Sequence, residues 1–176
     1  MFQRLFRRDP NRKIVEALYV SIVAAARREH YFSRWQVPDT PLGRFEMMSL
    51  QVFLVQHRLR NETGAARDVA QVLIDDFFTD VDHSLRELGI GDIGVPKRMK
   101  KLARMFYGRA LTYGEAIDAG DRAALAAALA RNIRPDDADW PHGAALADHV
   151  LESVEQLGAT PTDTILRGEL HFAEPA

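Results

Sequence analysis

The sequence predicts an all-α fold, a single helical domain of about six helices with a short C-terminal tail that can run extended. Three observations carry this prediction. Apolar residues recur at three- and four-residue steps through most of the chain, as helices with one buried stripe require. Capping residues, prolines and glycine turns separate those stripes. There is no alternation of strands with helices and no internal repeat at a period of roughly 20–50 residues. With 176 residues, 47% of them apolar, the chain is long enough to bury a core without staples. It contains no cysteine, which excludes disulfides, cysteine-ligated zinc, iron–sulfur clusters and thiol catalysis.

Each element has a local cause. Asp9-Pro10 reads as a cap and first helical residue, after which Ile14, Val15, Leu18, Tyr19, Ile22 and Val23 form a stripe ending near Tyr31. Thr40-Pro41 starts the next helix, where Phe45, Met48, Val52, Val55 and Leu59, widened by Met47, Leu50 and Leu54, predict a central position. The third runs from Ala65 with Ala70, Ile74, Phe77, Phe78, Val81, Leu85 and Leu88 on one side. A fourth follows Val95-Pro96 to about Ala119, burying Met99, Leu102, Ala103, Phe106, Ala110, Tyr113 and Ile117. Asp121 caps an alanine-rich helix ending before Pro135, and Asp139 caps the last, with Leu146, Val150, Val154 and Leu157. The tail from Thr164 to Phe172 is the part that can be extended.

The net charge of −2 conceals a division. Residues 1–114 hold 19 basic and 13 acidic side chains, net +6, whereas residues 115–176 hold 4 and 12, net −8. Such asymmetry points to one face that seeks acidic partners. The longest apolar stretch, Ala17 to Ala26, is about half of a bilayer span. At the N-terminus, Phe2, Leu5 and Phe6 can share a helical face beside Arg4, Arg7 and Arg8, a pattern suited to contact with an anionic membrane surface.

Chemical motifs are few. Gly89, Gly91 and Gly94 match the dinucleotide fingerprint as a string, but they follow a helix and precede Val95-Pro96, so a helix-ending turn with positive φ angles is the better reading. Asp75-Asp76-Phe77-Phe78-Thr79-Asp80 resembles the magnesium motif of all-α isoprenoid synthases, with Asp76, Asp80, His83 and Glu87 on one helical face. That chemistry needs a second, facing carboxylate cluster, which the sequence does not offer; Asp82 and Arg86 form an ordinary i, i+4 pair instead. No phosphate loop, Gly-x-Ser-x-Gly or His-Glu-x-x-His occurs, and His57 and His142 show no evident partners.

The strongest anomaly is basic. From Ile93 to Gly114 there are six cations and no acid, and Lys97, Arg98, Lys100, Lys101 and Arg104 sit where a helix begins. The positive end of the helix dipole disfavours them there. Asp80, Asp82 or Glu87 could neutralise them within the fold, but six cations exceed three carboxylates, so an anionic partner is expected: lipid, ribosomal RNA or an acidic protein. No DNA partner is expected.

At these residues the chain resembles the ubiquinol–cytochrome c chaperone family, assembly factors for cytochrome b of respiratory complex III. One block is Val37-Pro38-Asp39-Thr40-Pro41-Leu42-Gly43-Arg44-Phe45-Glu46-Met47. The other runs from Phe77 through Asp92, continues over Val95 to Lys101 and reaches Phe106-Tyr107-Gly108-Arg109. The likeness extends loosely over residues 11–130. It implies a non-catalytic helical chaperone without cofactor or metal, a bacterial member, cytoplasmic and peripheral on the inner face of the cell membrane. The resemblance further implies a client, newly made cytochrome b or a complex III intermediate; relatives also use a small partner protein and associate with ribosomes. The expected divisions are a basic aromatic segment (1–10), a family-like core (11–134) and an acidic C-terminal helix and tail (135–176). Electrostatic contact falls to Lys97, Arg98, Lys100, Lys101 and Arg104. Gly43, Arg44, Phe45, Glu46, Asp80, Asp82, Arg86, Tyr107 and Arg109 are block residues with structural or client-binding roles, Arg44 with Glu46 as a buried polar anchor and Gly43 for close helix approach. A ribosome- or RNA-associated protein and a magnesium-dependent isoprenoid-type enzyme are the alternatives.

Overall fold

Helix α3 (Pro41–Leu59) is the axis around which the chain is wound, because apolar residues surround it on nearly every side. Met47, Leu50, Val52, Phe53, Leu54, Val55 and Leu59 are all buried, and α3 touches five other helices. The computed structural model describes residues 11–137 and 139–176; Phe2, Arg4, Leu5, Phe6, Arg7 and Arg8, and the cap expected at Asp9-Pro10, lie outside them. Among the described residues there is no strand, and six long helices are joined by two short ones. The long ones are α1 (Arg12–Ala26), α3, α4 (Ala65–Glu87), α5 (Val95–Asp118), α6 (Arg122–Ile133) and α7 (Gly143–Ala159); α2 (Glu29–Ser33) and α8 (Thr162–Ile165) are short. The all-α prediction holds.

Starts of α3 and α6 follow the capping rules. The Thr40 side chain accepts from the Gly43 N–H at 3.1 Å with Pro41 in the first turn, and Asp121 accepts from the Ala124 N–H at 2.9 Å. Gly43 is needed for a reason other than helix approach. A Cβ there would stand 1.9 Å from the Pro38 carbonyl oxygen, so the glycine lets the preceding loop fold onto α3.

Three elements depart from the sequence expectation. The first helix stops at Ala26, not near Tyr31, because Arg28 turns to extended geometry (ψ 127°) and the chain restarts as α2. Arg28 there donates to the Phe172 carbonyl at 3.3 Å and the Glu174 carboxylate at 2.7 Å, binding the distant tail. The last helix begins at Gly143, since Pro141 disfavours helical geometry at Trp140. Trp140 is instead buried, its Nε1–H donating to the Trp35 carbonyl at 2.9 Å. Thr164 lies in α8 and not in an extended tail; beyond it Leu170, Phe172 and Ala173 are buried against the body. Of the Gly89, Gly91 and Gly94 string, Gly89 alone takes positive φ (79°), ending α4.

Between α3, α4 and α5 lies an aromatic cluster. Phe77 is 5.9 Å from Phe45, 5.1 Å from Phe78 and 5.4 Å from Phe106, centroid to centroid. Phe78 and Phe106 both continue outward to Tyr107. Such pairs add about 0.5–1.5 kcal/mol each beyond area burial. This cluster is the floor beneath the site described next.

Candidate functional site

Helices α1, α3, α4 and α5, with Glu29 and Phe32 of the short α2, meet above that floor without closing over it, leaving a cleft of about 680 Å³. Val23 enters from α1, and Leu42, Phe45 and Met48 from the first turns of α3. Phe77, Val81 and Leu85 come from α4, with Leu88 just beyond its end, and Leu102 and Met105 from α5. Leu42 and Leu88 at the edge are 50% and 57% exposed. Apolar side chains in such numbers at an open surface mark a binding site more often than a stray exposed leucine does. None of this enclosure is named by the sequence pattern, in which all of these residues except Leu42 and Met105 read as core.

The edge is charged. Arg27, Arg44, Arg98 and Lys101 stand around it together with Glu29, Asp39 and Asp80. Arg44 Nε donates to Asp39 at 2.6 Å, and Asp80 accepts from the Tyr19 hydroxyl at 2.9 Å. Burial and the Asp80 charge both raise the Tyr19 pKa, so the phenol stays protonated as donor. The predicted basic face is thereby divided: Arg98 and Lys101 line the cleft, whereas Lys97, Lys100 and Arg104 do not. All five are exposed, and none has an ion-pair partner among the described residues. Among the described residues no carboxylate of α4 forms an ion pair with them. Asp80 is engaged by Tyr19, and Asp82 is bound by Arg86 at 2.6 Å while Arg86 also holds Asp92.

Under the cleft, α5 is locked to α3 by a buried ion pair. Arg109 Nη2 donates to Glu46 Oε1 at 2.6 Å and its Nε lies 2.6 Å from Oε2. Burial pushes the Glu46 pKa up to about 7, more than the Arg109 charge pulls it down. The buried anchor is therefore Glu46 with Arg109; Arg44 is exposed and faces Asp39 instead of Glu46. The 63-residue separation hid this pairing from the sequence. Tyr107 is 55% exposed, with its ring against Phe106.

The magnesium motif is otherwise employed. Asp76 is held by Arg12 at 2.9 Å and Asp80 by Tyr19, and among the described residues no group of three or more His, Asp or Glu side chains is placed to hold a metal. His57 does have partners, Asp118 Oδ1 at 3.2 Å and Arg60 Nη1 at 2.6 Å, and His142 meets the Trp140 ring. Among the described residues no helix is long and apolar enough to cross a membrane.

Fold and cleft together place the molecule among single-domain, all-helical proteins with an open apolar groove. The chain belongs to the ubiquinol-cytochrome C chaperone family, whose model matches residues 33–172. That match takes in α7 and the tail as far as Phe172, beyond residues 11–130. The chain is 26% identical over 155 residues to ubiquinol-cytochrome-c reductase complex assembly factor 1 of Xenopus laevis, covering 87% of this chain and 77% of that one. It is 28% identical over 157 residues to the Homo sapiens assembly factor 1, covering 88% of this chain and 52% of that one, so it spans about half of the human protein. The crystal structure of the Cbp3 homolog from Brucella abortus matches with a TM-score of 0.89 and 53% identity, covering 99% of this chain and 97% of that one.

Proposed function

We propose that this protein is a non-catalytic assembly chaperone for ubiquinol–cytochrome c reductase, and that its client is newly made cytochrome b. The observation that supports this most is the open apolar cleft with Arg98 and Lys101 at its edge, neither of them ion-paired among the described residues. A newly made membrane protein exposes apolar helical segments that aggregate in water, and a cleft of this kind shields such a segment by burying its side chains. Leu42, Met48, Leu85 and Met105 supply adaptable apolar contact, the two methionines accommodating different side-chain shapes. Arg98 and Lys101 then meet acidic residues or lipid phosphate flanking the segment.

In this reading the chain works at the cytoplasmic face of the membrane, on an intermediate of complex III assembly. Deletion of its gene lowers assembled complex III under respiratory growth, and cytochrome b co-purifies with the protein from gently solubilised membranes. Unchanged complex III, or purification without cytochrome b, contradicts the proposal.

A further inference from the structure

Helix α5 carries a second unpartnered surface on the flank next to the cleft. Ile93, Lys97, Lys100, Arg104, Tyr107 and Leu111 follow one another in steps of four and three, so they lie along one face. Ile93 belongs to it although it precedes the helix, because the Val95 N–H returns to the Gly91 carbonyl at 3.2 Å in a helical turn. Every member is exposed: Ile93 by 97%, Tyr107 by 55% and Leu111 by 64%, with the three cations between them. The stripe is thus apolar at both ends, cationic in the middle, and about 27 Å long at 1.5 Å per residue. No acidic residue occurs from Ile93 to Gly114.

Its composition decides among possible occupants. A second copy is disfavoured, because antiparallel pairing of the stripe sets Lys100 against Arg104 and parallel pairing sets each cation against itself. RNA would satisfy the cations through phosphate, yet it has no use for an isoleucine and a leucine held in water. An anionic bilayer satisfies both kinds of residue. The cations meet lipid phosphate while their stems lie along the surface, the tyrosine sits at headgroup depth, and Ile93 and Leu111 reach the acyl boundary.

We infer that this stripe of α5 is the face by which the protein docks on an anionic membrane surface. Arg98 and Lys101 on the adjacent flank then hold the cleft beside the lipid, where an apolar segment would be handed over. The inference adds a membrane-facing orientation to the chaperone reading and does not depend on what the cleft binds.

The test is flotation of the full chain with vesicles of phosphatidylcholine alone and of phosphatidylcholine containing about a third phosphatidylglycerol. The protein partitions onto the anionic vesicles alone, and added salt weakens the binding. Lys97→Gln/Lys100→Gln/Arg104→Gln reduces partitioning about a hundredfold, at roughly fivefold for each cation. Tyr107→Ser/Leu111→Ser reduces it about tenfold. All five positions are exposed, and unchanged circular dichroism shows that the variants fold. Absence of vesicle binding overturns the inference, as does binding that the triple variant leaves intact. Binding of poly(U) RNA that the triple variant abolishes, with vesicle partitioning indifferent to Tyr107 and Leu111, assigns the stripe to RNA and overturns it also. None of these outcomes bears on co-purification of cytochrome b, which tests the cleft separately.

Discussion

Cations are treated in opposite ways on the two sides of the molecule. On the closed side, Arg58 gives hydrogen bonds to the Leu157 carbonyl, the Thr160 carbonyl and Thr162 at 3.0 Å each, and to Glu62 at 2.8 Å. Arg28 ties the tail to the α1–α2 break in the same manner. On the open side, Lys97, Arg98, Lys100, Lys101 and Arg104 project without ion-pair partners among the described residues, and the first of them lie where the helix dipole opposes them. Arginines that close the fold sit half-buried with several acceptors; cations kept for contact stay exposed with none. The difference separates residues that hold the structure from residues that serve it.

The comparison is broken most severely on the closed side. Arg58→Ala removes the hydrogen bonds to the Leu157 and Thr160 carbonyls, Thr162 and Glu62, and is expected to cost about 2–4 kcal/mol, read as a fall of about 5–15 °C in Tm. Buried titratable groups sharpen it next. Glu46 rises from 4.5 to about 7 chiefly through burial, so the folded protein keeps a proton that the unfolded chain releases between those values. Its contribution is complete below about pH 4.5 and is lost as the pH rises through about 7. His149, hydrogen-bonded to the Tyr31 hydroxyl at 2.8 Å, falls from 6.5 to about 4 through burial, so its contribution is present above 6.5 and lost as the pH falls through about 4. Relative to Glu46→Gln, wild-type Tm therefore declines between pH 5 and pH 7.5; relative to His149→Gln it climbs. A pH scan of the three proteins checks both signs. Smallest is the open side: Lys97→Gln/Lys100→Gln/Arg104→Gln changes stability by no more than about 0.5 kcal/mol in thermal or urea unfolding, because these exposed cations form no ion pair among the described residues.

The helices were legible because local rules decide them. The stripe of α3, its Thr40 cap and the Asp121 cap depend on neighbours within a few residues, and all appear where expected. Features decided by distant residues were not. The stop at Ala26 goes with Arg28 gripping a tail about 145 residues away, and Trp140, kept out of α7 by Pro141, donates to the Trp35 carbonyl 105 residues away. The buried anchor pairs Glu46 with Arg109, not with adjacent Arg44. The cleft is the clearest case. Phe45, Met48 and Leu88 carry the same periodic signal as Leu50 or Val69, and only the absence of a helix above them makes them a surface. The basic residues of α5 stood out in the sequence because charge is legible without packing, but their division between cleft and outer stripe required the fold.

The central claim, that the open side receives cytochrome b, is tested most directly by charging the edge of the cleft. Leu42→Asp/Leu88→Asp alters two exposed side chains and so leaves the fold in place, as unchanged Tm would show. Glu152→Lys/Glu155→Lys, at two exposed positions on α7, is the control change on the closed side. Each protein is purified from gently solubilised membranes and the recovered cytochrome b is measured. The account predicts at least a tenfold loss for the cleft-edge variant, from placing charge in an apolar contact, and full recovery with the α7 variant. Undiminished cytochrome b with the cleft-edge variant would contradict it.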